Sequence, residues 1–150
     1  MNRREMLNTL GILSATMVSG VSFAEDKKSD KTSAISKDKL KKATDAAFDC
    51  IKKGETCTSH CLDMIAAGDT SMKNCLAPLA NMMASCTAFS KIGSYDSAKP
   101  ETLRSLASAC ADLCRDCAAA CKVHAGHHAV CKNCMDSCNS CAEACSEITA

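Results

Sequence analysis

Apolar and polar positions alternate with the period of an α-helix through most of this chain. In residues 38–67 the inward positions follow one another in steps of three and four, and the same steps recur in residues 71–92 and 100–125. A fourth segment with this pattern begins at His127 or His128 and ends near Ile148. Such steps keep side chains on one face of a helix. The sequence therefore predicts an all-α protein with four amphipathic helices.

The connections between these segments are mostly short. Gly68 and Gly126 follow the first and third helices, where glycine commonly ends a helix, and Pro100 suits the first turn of the third helix. Gly54 allows a break in the first helix, and Pro78 is expected to kink the second. Because short connections join antiparallel neighbours, the expected architecture is an up-down-up-down four-helix bundle.

Cysteine lines the inner face of this predicted bundle. All 14 cysteines fall at inward positions, which in a helical bundle normally carry leucine or isoleucine. The set is Cys50, Cys57, Cys61, Cys75, Cys86, Cys110, Cys114, Cys117, Cys121, Cys131, Cys134, Cys138, Cys141 and Cys145. The sequence therefore predicts a bundle with a Cys-lined core, and residues 38–150 are interpreted as a metal-binding domain.

Antiparallel topology is expected to arrange these thiols in layers. The end of the bundle that bears Gly68 and Gly126 is called the mouth. We expect an upper layer beside it, formed by Cys61, Cys75, Cys121 and Cys131. A lower layer is expected about 24 Å further along the bundle, formed by Cys50, Cys86, Cys110 and Cys145. The ladder is uneven, since three inward positions lack thiols: Gly54, Leu79 and Met82.

Residues 1–24 are predicted to be a cleaved signal peptide. The pair Arg3-Arg4 precedes a mildly apolar run at 9–21, and Ser22-Phe23-Ala24 has the small-x-small form of a cleavage site. The arrangement resembles a twin-arginine signal, with an ordinary secretory signal and a retained membrane anchor as alternatives. Residues 25–37 are polar and are expected to form a flexible lead-in. The prediction is an exported, periplasmic protein.

Charge and composition give no sign of nucleic-acid binding. The chain has 18 basic and 17 acidic side chains, no tryptophan and 3% aromatic residues. Removal of residues 1–24 takes away two arginines and one glutamate, which leaves 16 basic and 16 acidic side chains. Neither a basic stripe nor an aromatic platform remains, so nucleic acid is excluded as a partner.

Several kinds of protein use many cysteines. A disulfide framework is typical of cysteine-rich exported chains, although thiols three or four residues apart on one helix are poorly placed to bond. Zinc prefers separate sets of four ligands, and four thiolates would leave a net charge of about −2 on each buried site. Iron–sulfur clusters usually take cysteines from loops. A thiol redox enzyme needs one cysteine of low pKa, for which Cys131 is the nearest candidate.

Cu(I) fits the pattern better than these alternatives. Soft thiolate and thioether ligands select this ion at low coordination number, and a monocation shared between bridging thiolates stays near neutral. With two-coordinate ions and bridging thiolates, the capacity would be about 14 ions. Four further candidate ligands lie near the mouth: His60, Met64, Met72 and His124.

Other histidines and methionines have simpler interpretations. Met82 and Met83 are interpreted as core and surface filler. His127 and His128 also fall near the mouth, and they are either further ligands or the polar start of the fourth helix. Of the histidines at 124, 127 and 128, His124 is in phase with the cysteines of the third helix and is the preferred ligand.

The cysteine pattern resembles that of the bacterial copper storage proteins. The resemblance rests on Cys50-x6-Cys57-x3-Cys61, Cys75-x10-Cys86, Cys110-x3-Cys114-x2-Cys117-x3-Cys121 and the five-cysteine run of the fourth helix. It covers most of residues 25–150 and implies many Cu(I) ions inside the bundle and assembly as a homotetramer. Exported members carry mouth ligands that His60, Met64 and Met72 match in position.

This resemblance implies a non-enzymatic protein that stores Cu(I) for supply to copper enzymes or for detoxification. A copper-dependent enzyme or a copper chaperone is then expected as recipient or donor. The alternative that stays open is a disulfide-stapled helical protein with a structural or interaction role.

Overall fold

The computed structural model describes residues 34–150. This part of the chain contains four α-helices and one short 3-10 helix, Thr70–Met72, and no strand. The α-helices are α1 Lys37–Ala66, α2 Lys73–Gly93, α3 Pro100–Lys122 and α4 Ala129–Thr149. The proposed signal at 1–24, and the lead-in as far as residue 33, lie outside the described residues.

The four helices form a ring in chain order. α1 packs against α2, α2 against α3, α3 against α4, and α4 returns to α1. Within residues 34–150 the backbones of diagonal pairs stay apart, and only core side chains reach across, such as Cys50 to Cys114 with their sulfur atoms 4.0 Å apart. This arrangement confirms the predicted antiparallel four-helix bundle. No helix of this part is both long and apolar enough to cross a membrane.

The ends of the helices follow from local sequence. Gly68 adopts φ of 101°, a left-handed conformation that favours glycine, and it ends the turn after α1. The Asp69 side chain then accepts a hydrogen bond from the Ser71 amide at 3.0 Å. α3 ends at Lys122, three residues before the predicted end. The His124 carbonyl accepts hydrogen bonds from the amides of His127 and His128, which forms a turn instead of a further helical turn.

The expected break at Gly54 is absent, and α1 continues through it. A Cβ atom at this position would lie 2.8 Å from Met83 Cγ and 2.9 Å from Met82 Cε. Gly54 therefore serves close packing between α1 and α2, because any side chain there would collide with both methionines. α2 also remains a single helix through Pro78.

The two ends of the bundle differ in composition. The end opposite the mouth is filled by buried apolar side chains, among them Phe89, Leu103 and Ile148, with alanines at positions 43, 47 and 107. Topology places the cysteine-bearing stretch between this apolar plug and the mouth. The core is therefore closed at one end by hydrocarbon.

Candidate metal centre

The fourteen cysteines all lie inside the bundle, and all are free thiols. Each is at most 1% exposed. α1 carries three, α2 two, α3 four and α4 five, because the steps of three and four in each helix turn them all inward. The predicted Cys-lined core is confirmed in position by this burial.

The sulfur atoms gather into four groups whose members lie within 4.8 Å of one another. The groups are Cys50, Cys86, Cys114 and Cys141; Cys57, Cys121 and Cys134; Cys110, Cys141 and Cys145; and Cys117, Cys134 and Cys138. Cys134 and Cys141 each belong to two groups, and the contact of Cys50 with Cys138 joins the two resulting pairs into a continuous network. Individual sulfur pairs, such as Cys50 and Cys138 at 3.4 Å, lie well beyond an S–S bond of about 2.05 Å.

The predicted lower layer is found only in part: Cys50 lies within 4.8 Å of Cys86, but Cys50 and Cys145 belong to different sulfur groups. Cys50 was expected beside Cys145, but its sulfur lies 3.4 Å from Cys138 and 4.0 Å from Cys114. The expected neighbours Cys86 and Cys110 are 3.5 Å apart. The expected height of Cys50 in the bundle came from counting residues along ideal helices. Such a count ignores any shift of α1 along the bundle axis relative to α4.

Hydrogen bonds between thiols distribute the negative charge unequally. The pKa of Cys134 is lowered to about 5, since its hydrogen bond with Cys117 raises the value while those with Cys121, Cys138 and Cys57 together lower it by more. The pKa of Cys114 is raised, chiefly by its hydrogen bond with Cys110. A thiolate in this network is therefore stabilised by neighbours that remain protonated, and full ionisation requires a cation.

Near the mouth, burial has the larger effect. Burial, and after it the nearby thiols Cys61, Cys121 and Cys131, together raise the pKa of Cys75 to about 12. Burial likewise raises the pKa of Cys131 to about 11. The electrostatic coupling of these four thiols agrees with the expected upper layer.

The core contains no fixed positive charge among the described residues. Their buried polar side chains are Thr44, Ser90 and Ser137, and no lysine or arginine is buried. A divalent ion held by four thiolates would leave an uncompensated charge of about −2, which is costly in a core of low dielectric. Monovalent ions shared between thiolates avoid that cost, so the charge balance favours Cu(I) over zinc.

Histidines cluster at the mouth. His60 Nε2 and His128 Nδ1 are 3.0 Å apart, and one of the two imidazoles donates a hydrogen bond to the other. The His124 ring lies edge-on to His128, with centroids 6.4 Å apart. The sequence predicted His128 near the mouth, left its role open and preferred His124 as the ligand. The direct contact of His128 with His60 is what the structure adds.

The methionines predicted at the mouth differ in accessibility. Met72 is fully buried, in the short 3-10 helix between α1 and α2, whereas Met64 is half-buried near the end of α1. His60 and His124 are also half-buried. A partly accessible set of imidazole and thioether groups thus adjoins the buried thiols, while their role as ligands stays a prediction.

Fold and site together define a class: a helical bundle whose interior is a soft-metal store. A sequence model of the copper storage protein family, Csp, matches residues 36–150. The chain belongs to the copper storage protein family. It stores multiple Cu(I) ions through thiolates inside its four-helix bundle.

Solved structures agree with this assignment. The chain is similar to a cytosolic copper storage protein from Streptomyces lividans loaded with five coppers, with 25% identity, a TM-score of 0.69, and coverage of 75% of this chain and 93% of that one. A structure of Ccsp from the same organism, loaded with 10 copper equivalents, has 24% identity, a TM-score of 0.71, and coverage of 79% and 89%. Comparison with curated protein sequences gives no significant match.

The prediction of an exported, periplasmic protein is contradicted by this comparison, because the similar Streptomyces protein is cytosolic. The prediction rested on Arg3-Arg4 and the run at 9–21, which lie outside the described residues. Short arginine pairs before a weakly apolar run are a pattern of low information, and the bundle itself carries no feature that reports a compartment.

Proposed function

We propose that the cysteine thiolates of the bundle are the Cu(I) ligands, with His60, Met64, Met72 and His124 as auxiliary ligands at the mouth. The observation that carries this proposal is the continuous network of fourteen buried free thiols in a core without buried lysine or arginine. Residues 38–150 form the metal-binding domain in this proposal.

Binding exchanges protons for copper. Most thiols of the network with a resolved shift have a raised pKa, as burial and neighbouring thiols predict, so they enter the reaction protonated near neutral pH. Each Cu(I) ion replaces protons on the thiols that become its ligands. Bridging by thiolates keeps the core near neutral as ions accumulate.

Copper enters through the mouth. The opposite end is closed by Phe89, Leu103 and Ile148, whereas the mouth offers half-buried His60, Met64 and His124. These imidazole and thioether groups take an ion from solution or from a donor protein. They then pass it to Cys61, Cys75, Cys121 and Cys131.

The protein acts without catalysis. Cys131, the candidate redox cysteine, has its pKa raised to about 11 by burial, which opposes the thiolate that a redox nucleophile needs. Cys134 has a lowered pKa but is fully buried and shared between two thiol groups. The proposal extends to a homotetramer and to a copper enzyme or chaperone as exchange partner, as the family resemblance implies.

Titration of the reduced protein with Cu(I) against a competing chelator tests the assignment, with free thiols counted beforehand. We expect about 14 free thiols and an uptake of ten or more Cu(I) ions. Alkylation of the thiols in the unfolded protein should abolish this uptake. Few free thiols, or uptake of no more than about two ions, would instead favour a disulfide-stapled bundle. Sedimentation in the same buffer tests the tetramer.

A further inference from the structure

The thiol lining is interrupted at one level on the α1–α2 side. On α1, Gly54 stands between Cys50 and Cys57, and on α2 neither Leu79 nor Met82 carries a thiol. All three residues are buried. Ions held by the group of Cys50 and those held by the group of Cys57 are therefore separated on this side, whereas at residues 110–121 of α3 and 131–145 of α4 cysteines recur every three or four residues.

The Met82 side chain occupies this interruption. Met82 is 0% exposed and shares the buried face of α2 with Cys75 and Cys86. Its methyl carbon lies 2.9 Å from the point where a Cβ of Gly54 would stand. The missing side chain at position 54 thus provides the space into which the end of Met82 extends from α2 towards α1.

Met83 contacts the same point but from a different face. It is half-buried and lies off the buried face of α2, with its sulfur 3.0 Å from the position of the absent Gly54 Cβ. Its thioether therefore packs against the backbone of α1. The neighbouring methionines are a natural pair for comparison, because Met82 shares the buried face of α2 with two cysteines and Met83 does not.

We propose that Met82 Sδ is a further Cu(I) ligand in the interior of the bundle. This inference rests on the proposed function of the thiols. Met82 precedes Cys86 by four residues, so the two side chains are neighbours on one helix face, and Cys86 belongs to the group of Cys50, Cys114 and Cys141. A thioether is a soft donor that selects Cu(I) and adds no negative charge. It connects the ions of this group with those nearer the mouth.

The test follows methionine methyl resonances during copper loading of the full chain labelled with 13C-methyl methionine. Met82→Leu and Met83→Leu assign the two signals and conserve side-chain volume. We expect the Met82 methyl signal to shift on loading well beyond those of Met83 and Met135. We also expect M82L to release its most weakly held ion to a competing chelator roughly tenfold faster than M83L does.

The control is copper uptake by the unsubstituted protein, because a failure to load would refute the thiol assignment itself. If that protein loads normally and the Met82 methyl signal stays in place, Met82 is not a ligand. Identical loading and release by M82L and M83L would overturn the proposal equally. Circular dichroism of both variants confirms that they retain the helices on which the comparison depends.

Discussion

The two halves of the bundle contribute unequally to the thiol network. α3 and α4 carry nine cysteines, and α1 and α2 carry five. Every one of the four close sulfur groups draws at least two members from α3 and α4, and two groups lie wholly within that half. The α1–α2 half instead provides Gly54, Leu79 and Met82 in the core, and His60, Met64 and Met72 at the mouth.

This difference separates the part of the bundle that sets the capacity for copper from the part that gives copper access to the core. A helix pair whose cysteines follow one another in steps of three and four can bridge neighbouring ions without interruption. The other pair completes some of these groups, closes the tube and presents most of the proposed auxiliary ligands. The two halves should therefore respond differently to the same number of substitutions.

The largest effect is expected from removal of the connecting thiols of α3 and α4. Replacement of Cys114, Cys117, Cys134 and Cys138 by serine leaves only one of the four sulfur groups intact. We expect the Cu(I) capacity to fall by at least about four ions, because each bridging thiolate accounts for about one ion. Chelator competition measures the capacity, and far-ultraviolet circular dichroism checks helicity.

The matched control replaces four thiols of the other half: Cys50, Cys57, Cys61 and Cys75. Two sulfur groups then remain intact, so a smaller loss is expected. Equal losses in the two variants would show that capacity depends only on the number of thiols. Collapse of the apo fold in the first variant would mean that its cysteines are structural.

A single substitution sharpens the comparison. Cys134 belongs to two sulfur groups, whereas Cys75 belongs to none and directs its thiol towards the Ala120 carbonyl at 3.7 Å. We expect Cys134→Ser to lower capacity by about two ions and Cys75→Ser by at most about one. Metal analysis after desalting of the loaded variants measures the difference. A larger loss for Cys75→Ser would place the main store at the mouth.

Packing between α1 and α2 gives a smaller, structural effect. Gly54→Ala adds a Cβ that would meet Met83 Cγ at 2.8 Å, and this overpacking should outweigh the gain in helix propensity. We expect the apoprotein to lose about 1 kcal/mol of stability in thermal or urea unfolding. Gly126→Ala, where no atom lies within 4 Å of the added Cβ, is the control. If the control lost as much stability, the effect would not come from the helix interface.

The sequence predicted the bundle and its lining because a period of three and four residues directly reports which side chains face inward. It did not predict that Cys50 lies beside Cys138, because the position of one helix along the bundle axis relative to another depends on how their side chains pack. It also did not predict the contact of His60 with His128, because the turn after Lys122 reverses the chain by local hydrogen bonds. It likewise did not predict the packing of Gly54 against Met82 and Met83, because these contacts depend on tertiary structure.

The smallest effect concerns the mouth, to which one half contributes Cys75 on α2 and the other Cys131 on α4. Their pKa values, about 12 and about 11, lie above the ordinary value of about 8.5. The raised pKa values stabilise the folded chain as long as the thiols are protonated. Below pH 8.5 they are protonated in both the folded and the unfolded chain, so this contribution to stability is fully present. As the pH rises towards 11, the unfolded chain loses its protons first, and the contribution is lost.

We expect the melting temperature of the reduced apoprotein to fall by a few degrees between pH 8 and 10.5. The double variant Cys75→Ser with Cys131→Ser should show a flatter dependence, and an unchanged slope would assign the loss to other groups.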